Sequence, residues 1–277
     1  MAPAFLRLSL CAAAGAAAAA GAGEDVAALL QVGAVVERAD ACQCLSWKDV
    51  FEKHGAECGK GPEFELGGYV VHNGVAIPTV KTGLWYMGKD LCARFHETLS
   101  GNFCIQLHYT AQRAEQWCYV SPECQSLNGG GAVGALKWKQ CTRGQDVMLG
   151  EMSPPEVYKV SQTEEKDPGL VLKMAYPVYT QRTSQNLNLR WPDVKSCLTK
   201  PFTFTEQCIT VMAIQVSGKP MIFDTDDGSP PYGVVFKNRA YEFKLTQWYH
   251  DAINDQQAFW STPWRKDEYT CVHGCTE

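Results

Sequence analysis

Asn102-Phe103-Cys104, then Gln116-Trp117-Cys118-Tyr119-Val120-Ser121-Pro122-Glu123-Cys124, is the stretch that decides how this chain is read. Trp117, Cys118, Tyr119 and Val120 are aromatic, thiol or β-branched residues of the kind that fill strands, and Ser121-Pro122 stops them. Working outward, Cys42, Cys44, Cys58, Cys92, Cys104, Cys118, Cys124 and Cys141 fall within one hundred residues. That density predicts a disulfide framework with aromatic side chains packed against it. Cys197, Cys208, Cys271 and Cys275 are expected to close two further bridges in the second half.

The thirteenth cysteine, Cys11, lies in a different kind of sequence. Arg7 is followed by a small-apolar run from Leu8 to Ala20, and Ala20-Gly21-Ala22 offers small residues where a signal peptidase cuts. Residues 1–22 therefore read as a signal peptide, whose apolar run from Leu8 to Ala20 is too short for the roughly twenty apolar residues of a membrane span. Cleavage there removes Cys11 and leaves twelve cysteines, which can pair completely into six bridges. Both features point to an oxidising compartment: secreted, extracellular or an endomembrane lumen. Residues 23–41 are expected to be a pro-segment or flexible arm.

A net charge of −5 with no Lys/Arg cluster argues against nucleic acid and against an anionic membrane surface as partner. Hydrophobic residues at 45% and charged residues at 20% are ordinary globular values, so no wholesale disorder is expected. No later apolar run is long enough to cross a bilayer, so no membrane span is expected in the mature chain.

Secondary structure follows from periodicity and breakers. Ser46-Trp47-Lys48-Asp49 resembles a capping box, and Gly55 ends the helix that it opens. Leu91, Cys92, Phe95 and Leu99 form one stripe of a second helix expected over 89–99. Strands are expected at 103–109, 117–121 and 136–141, with a turn at Asn128-Gly129-Gly130-Gly131. Ser153-Pro154-Pro155 and Glu164-Glu165-Lys166-Asp167-Pro168-Gly169 read as linker or loop signals, which places a domain boundary near 150. Beyond it, apolar runs at 170–179 and 202–216 read as strands, as do 220–223, 233–237 and 240–245. A helix is expected from Gln247 to about Ala258. The expectation is an α+β, β-rich protein: a cysteine-rich α+β module at 42–150, followed by an antiparallel-β domain at 155–277 with a Trp-rich C-terminal segment.

Candidate sites are few. Asp224, Asp226, Asp227 and Gly228 suggest a calcium loop, but Val235 occupies the twelfth position, where an EF-hand needs an acidic residue; an acidic turn is the better reading. Cys271-Val272-His273-Gly274-Cys275 lacks the second cysteine pair of a zinc site, so bridged cysteines are expected and no metal or cofactor is assigned. The chain has no Gly-x-Ser-x-Gly elbow, no His-Glu-x-x-His and no phosphate loop. Trp248, Tyr249, Trp260 and Trp264 form the candidate binding platform. Trp248 and Trp260 are about 120° apart on a helix, and Pro263 precedes Trp264, so one helix cannot bury all three tryptophans on a common stripe. An exposed tryptophan there would suit a sugar ring or a protein partner's apolar anchor. The functional expectation is a non-catalytic secreted or cell-surface binding or structural protein. The alternatives are a secreted hydrolase and a lumenal subunit of a photosynthetic membrane complex in the plastid lumen.

Trp117-Cys118-Tyr119-Val120 followed by Cys124 resembles the Trp-Cys-Tyr segment of kringle and fibronectin type II modules, over less than a tenth of the chain. Trp47 to Val50, Asn102 to Cys104, Gln116 to Val120 and Trp138 to Cys141, in that order, resemble uncharacterised cysteine-rich secreted proteins of dinoflagellate algae over about residues 28–141. That resemblance implies secretion and implies no activity.

Overall fold

Strand β4 (Gln116–Val120) is buried along its whole length and sorts its side chains by the two-residue period of a strand. Trp117 and Tyr119 enter an aromatic core, whereas Cys118 and Val120 enter a cluster of cysteines on the other face. The computed structural model that shows this describes residues 40–64, 69–72, 75–78, 92–93, 95–108, 112–179, 189–200, 204–224, 231–244 and 268–275.

β4 lies inside the first four-stranded antiparallel sheet, with β3 (Ile105–Gln106), β5 (Gly131–Val133) and β6 (Leu136–Gln140) in the order β3-β4-β6-β5. A separate hairpin pairs β1 (Tyr69–His72) with β2 (Val75–Pro78). On the aromatic side, α1 (Trp47–Glu52) presses Trp47 and Val50 into the core. Trp47 meets Trp117 edge-on at 4.9 Å and donates its indole N–H to the Phe103 carbonyl at 2.8 Å. The capping box expected at Ser46 does not form, because the Ser46 side chain makes no capping bond; Asp49 instead pairs with Lys53 at 2.9 Å. Within the helix expected over 89–99, the described residues include a 3₁₀ turn, His96–Thr98.

The second four-stranded antiparallel sheet has the order β10-β9-β8-β7, from β7 (Met221–Phe223), β8 (Tyr232–Phe236), β9 (Arg239–Lys244) and β10 (Glu268–His273). Its two faces carry different helices. Tyr232, Val234, Tyr241 and Phe243 share a core with α2 (Pro154–Thr163) and α3 (Pro168–Ala175). Val235 and Ala240 face the other way, into a core with Trp191 and Val194 of α4 (Trp191–Thr199) and Val211 of α5 (Glu206–Ser217). Gly233 is required there: a β-carbon at that position would lie 2.0 Å from the Trp191 ring.

Two runs expected to be strands are helices. Residues 170–179 begin inside α3, where Pro168 occupies the first turn and Asp167 accepts from the Leu170 N–H at 2.6 Å. Residues 202–216 overlap α5, which opens on the Thr205 cap and closes on Gly218 at φ +68°. A continuous apolar run lacks the alternation that marks a half-buried strand, and here the caps decide. Ser153-Pro154-Pro155 is likewise a helix start rather than a linker: the Ser153 N–H and hydroxyl both donate to Glu156 at 2.6 Å, and proline fits the first turn.

Residues 39–277 form one compact unit. The largest core runs from Trp47 and Trp117 through Leu149 to Leu172 and Phe243, so both sides of position 150 contribute to it. Glu164, in the turn after α2, also reaches back to accept from the Ser100 N–H at 2.7 Å. The described residues make an α+β, β-rich protein, and none of their helices is long and apolar enough to cross a membrane.

Candidate functional site

The twelve cysteines among the described residues all pair: Cys42–Cys124, Cys44–Cys118, Cys58–Cys92, Cys104–Cys141, Cys197–Cys208 and Cys271–Cys275. Cys44 and Cys104 belong to different bridges, yet their sulfurs are 3.6 Å apart. With Cys118 and Cys141 they form a cluster of four sulfurs, all lying within 4.8 Å of one another. Bonded as two disulfides, these sulfurs offer no thiolate to a metal. The pair in Cys271-Val272-His273-Gly274-Cys275 is bridged as well. Lys139 lies on β6 opposite Cys118 and is buried in an ion pair with Asp146 at 2.7 Å.

The aromatic side of the first sheet holds three buried titratable groups, Glu63, Tyr119 and His96. Glu63 accepts a hydrogen bond from the Tyr119 hydroxyl. Burial pushes the Glu63 carboxyl above its usual range, against the lowering effect of that bond, and burial also raises the Tyr119 phenol. His96 is fully buried against Trp47 and Phe95, and neither ring nitrogen finds a partner among the described residues. Burial pushes its pKa down to about 3, so the ring is neutral at physiological pH. A histidine whose pKa lies so far below neutral pH is poorly matched to general acid–base work.

A more accessible feature lies where the two sheets approach. A cleft of about 620 Å³ is bounded by residues 112–116, by the 141–151 segment and by the 175–177 and 219–221 segments. The Gln116 side chain ties these walls together: its amide donates to the Ala175 carbonyl at 2.8 Å, and its carbonyl accepts from the Gly150 N–H at 3.1 Å. Gly150 permits this close approach, since a β-carbon there would sit 2.7 Å from the Gln116 amide.

Met148, Ala175, Pro177 and Met221 supply apolar lining, and the charges stand around it. Arg113 pairs with Glu115 at 3.0 Å, and Arg143 pairs with Glu151 at 2.5 Å. Burial nudges the Glu115 carboxyl upward, but the hydrogen bond and charge of Arg113 outweigh it and hold the group below its ordinary value. Lys219 is exposed and lines the same cleft, and its ammonium has no partner among the described residues. Three cations thus meet two carboxylates around an apolar lining. Nothing in the linear sequence marks this set, since Arg113, Arg143 and Lys219 come from three distant loops.

The platform predicted at Trp248, Tyr249, Trp260 and Trp264 lies outside the described residues, as does the helix expected over 247–258. Of the acidic turn, Asp224 is described: its carboxylate is ion-paired with Lys173 at 3.1 Å, and its carbonyl accepts from the Trp191 N–H. Asp226, Asp227 and Gly228 lie outside the described residues. Comparison with family models, curated proteins and solved structures finds no match.

Proposed function

We propose that this is a non-catalytic binding protein of an oxidising compartment, secreted, at the cell surface or in an endomembrane lumen, and that its cleft takes an organic anion with an apolar body. The carrying observation is the cleft's charge: Lys219 stands without a partner among the described residues, beside an apolar lining whose two carboxylates are already matched by arginines. An apolar ligand body would cover Met148, Pro177 and Met221, and its acidic group would meet Lys219 within reach of two guanidiniums. Glu115 is held ionised, which suits a fixed counter-charge better than a proton donor. The six bridges support the compartment.

The test uses two probes of this chemistry, anilinonaphthalene sulfonate and laurate. The sulfonate should bind saturably with a rise in fluorescence, and laurate should displace it. Lys219→Glu combined with Arg143→Glu should weaken both by at least tenfold, and raising salt should weaken them in the parent. Absence of saturable binding, or binding unchanged in the double variant, would sink the proposal.

A further inference from the structure

Helix α5 is apolar on both sides. Cys208 and Val211 are buried, whereas Ile209, Met212 and Val216 are 52%, 43% and 88% exposed. Phe204, just before the cap, is 76% exposed, and Ala213 is exposed as well. Residues 209, 212, 213 and 216 recur at helical spacing and make one stripe. An isolated exposed leucine or valine needs no explanation, but a contiguous apolar stripe on a twelve-residue helix does.

The order of residues along the stripe indicates what covers it. From 206 to 219 the sequence is Glu-Gln-Cys-Ile-Thr-Val-Met-Ala-Ile-Gln-Val-Ser-Gly-Lys. Its only charges are Glu206 at the start and Lys219 just past the end, both exposed and of opposite sign. Consider a second copy laid antiparallel across the first, with the two-fold axis between positions 212 and 213. Ile209 then faces the partner's Val216, and Met212 faces the partner's Ala213. Glu206 faces the partner's Lys219, and each of these contacts is made twice. The small Ala213 lets the backbones approach at the crossing, and Met212 adapts to fill what remains. The antiparallel arrangement also sets the positive end of each helix beside the negative end of the other. In a parallel pair the same registry would oppose like charges.

We infer that the exposed face of α5 is a homodimer interface, in which two copies cross antiparallel about Met212 and Ala213 with reciprocal Glu206–Lys219 ion pairs. The contact is isologous, as a closed two-fold dimer requires. One helix face is smaller than the roughly 800 Å² per partner of a standard interface, so association is sought in the range of weak dimers, on the order of micromolar concentration. Lys219 also lines the cleft, so an ion pair with the partner's Glu206 competes with an anion there.

The test is sedimentation equilibrium of the fully bridged protein without ligand. The weight-average mass should rise from monomer to twice that value across the micromolar range. Zero-length carbodiimide cross-linking should join a Glu206 peptide to a Lys219 peptide between copies, traced by mixing isotopically light and heavy protein. Val216→Glu should weaken association at least tenfold while the sulfonate probe still binds, which separates this inference from the cleft reading. Glu206→Lys should weaken association, and Glu206→Lys with Lys219→Glu should restore it. A chain that stays monomeric to about 100 μM, a dimer indifferent to Val216→Glu and Glu206→Lys, or a monomer that sediments with phosphatidylcholine vesicles through this helix would overturn the inference.

Discussion

The two four-stranded sheets are held by different means. In the first, the bridges Cys42–Cys124, Cys44–Cys118, Cys58–Cys92 and Cys104–Cys141 span 82, 74, 34 and 37 residues, and three of them line one face of β4. In the second, Cys197–Cys208 and Cys271–Cys275 span 11 and 4 residues and close local turns. The second sheet relies on helices against both faces and on aromatic stacking: Tyr269 lies 5.1 Å from Tyr158 and 5.2 Å from Tyr241, each nearly parallel. A short strand such as β3, two residues long, gains little from its own ladder. Covalent closure of long loops supplies there what layered burial supplies in the second sheet.

The largest expected effect tests that contrast directly. Constraining the unfolded chain over a loop of 74 residues stabilises by about 4.5 kcal/mol, against about 2 kcal/mol over a loop of 4 residues. Cys44→Ala with Cys118→Ala should therefore lower the urea midpoint much more than Cys271→Ala with Cys275→Ala. Equal shifts would show that loop length does not distinguish the two regions.

A second measurement probes how much the other sheet depends on packing. Gly233→Ala would force a methyl group into the Trp191 ring. Overpacking of this kind costs about 1–3 kcal/mol. Thermal unfolding should register that loss with all six bridges intact. An unchanged midpoint would mean that α4 is free to shift away from β8.

The smallest effect is a pH dependence carried by the first region. His96 falls from 6.5 to about 3 on folding because burial disfavours its charged form. Between those values the unfolded chain binds the proton and the folded chain does not, so stability rises with pH and is lost on acidification. From pH 7 to 5.5 the loss is about 1 kcal/mol. Glu63 works in the opposite sense: its raised carboxyl favours the folded state at low pH, and that contribution is lost as pH rises through its folded value. The difference between parent and His96→Leu isolates the histidine. In the second sheet, burial raises the Glu242 carboxyl, but hydrogen bonds from Lys195, Trp191 and Lys244 prevail and the net shift is downward. Glu242 therefore contributes fully above the ordinary carboxylate value and loses that contribution as pH falls from there through its lowered folded value. Identical pH profiles for the parent and His96→Leu would show that His96 is solvated in the folded protein.

Some of this was legible in the residues. The Trp-Cys-Tyr-Val run fixes β4, because alternation of bulky residues with cysteines gives a strand two chemically distinct faces whatever surrounds it. The apolar runs that became β7, β8 and β9 were readable because strong β-formers are bounded by turn residues, and Trp47 to Gly55 was readable as a helix with its stop. The number and spacing of the cysteines pointed to a bridged framework, but not to which cysteine meets which, since pairing depends on approach in space. That 170–175 and 206–216 are helical is carried by their caps, Asp167-Pro168 before the first and Thr205 and Gly218 around the second, because runs apolar on both sides have no period that tells helix from strand. The tertiary structure alone joined the two halves through one core and brought Arg113, Arg143 and Lys219 around one cleft. Local sequence sets the conformation of a few residues, whereas a core or a cleft is built from contacts between residues a hundred positions apart, and those exist only once the chain has closed.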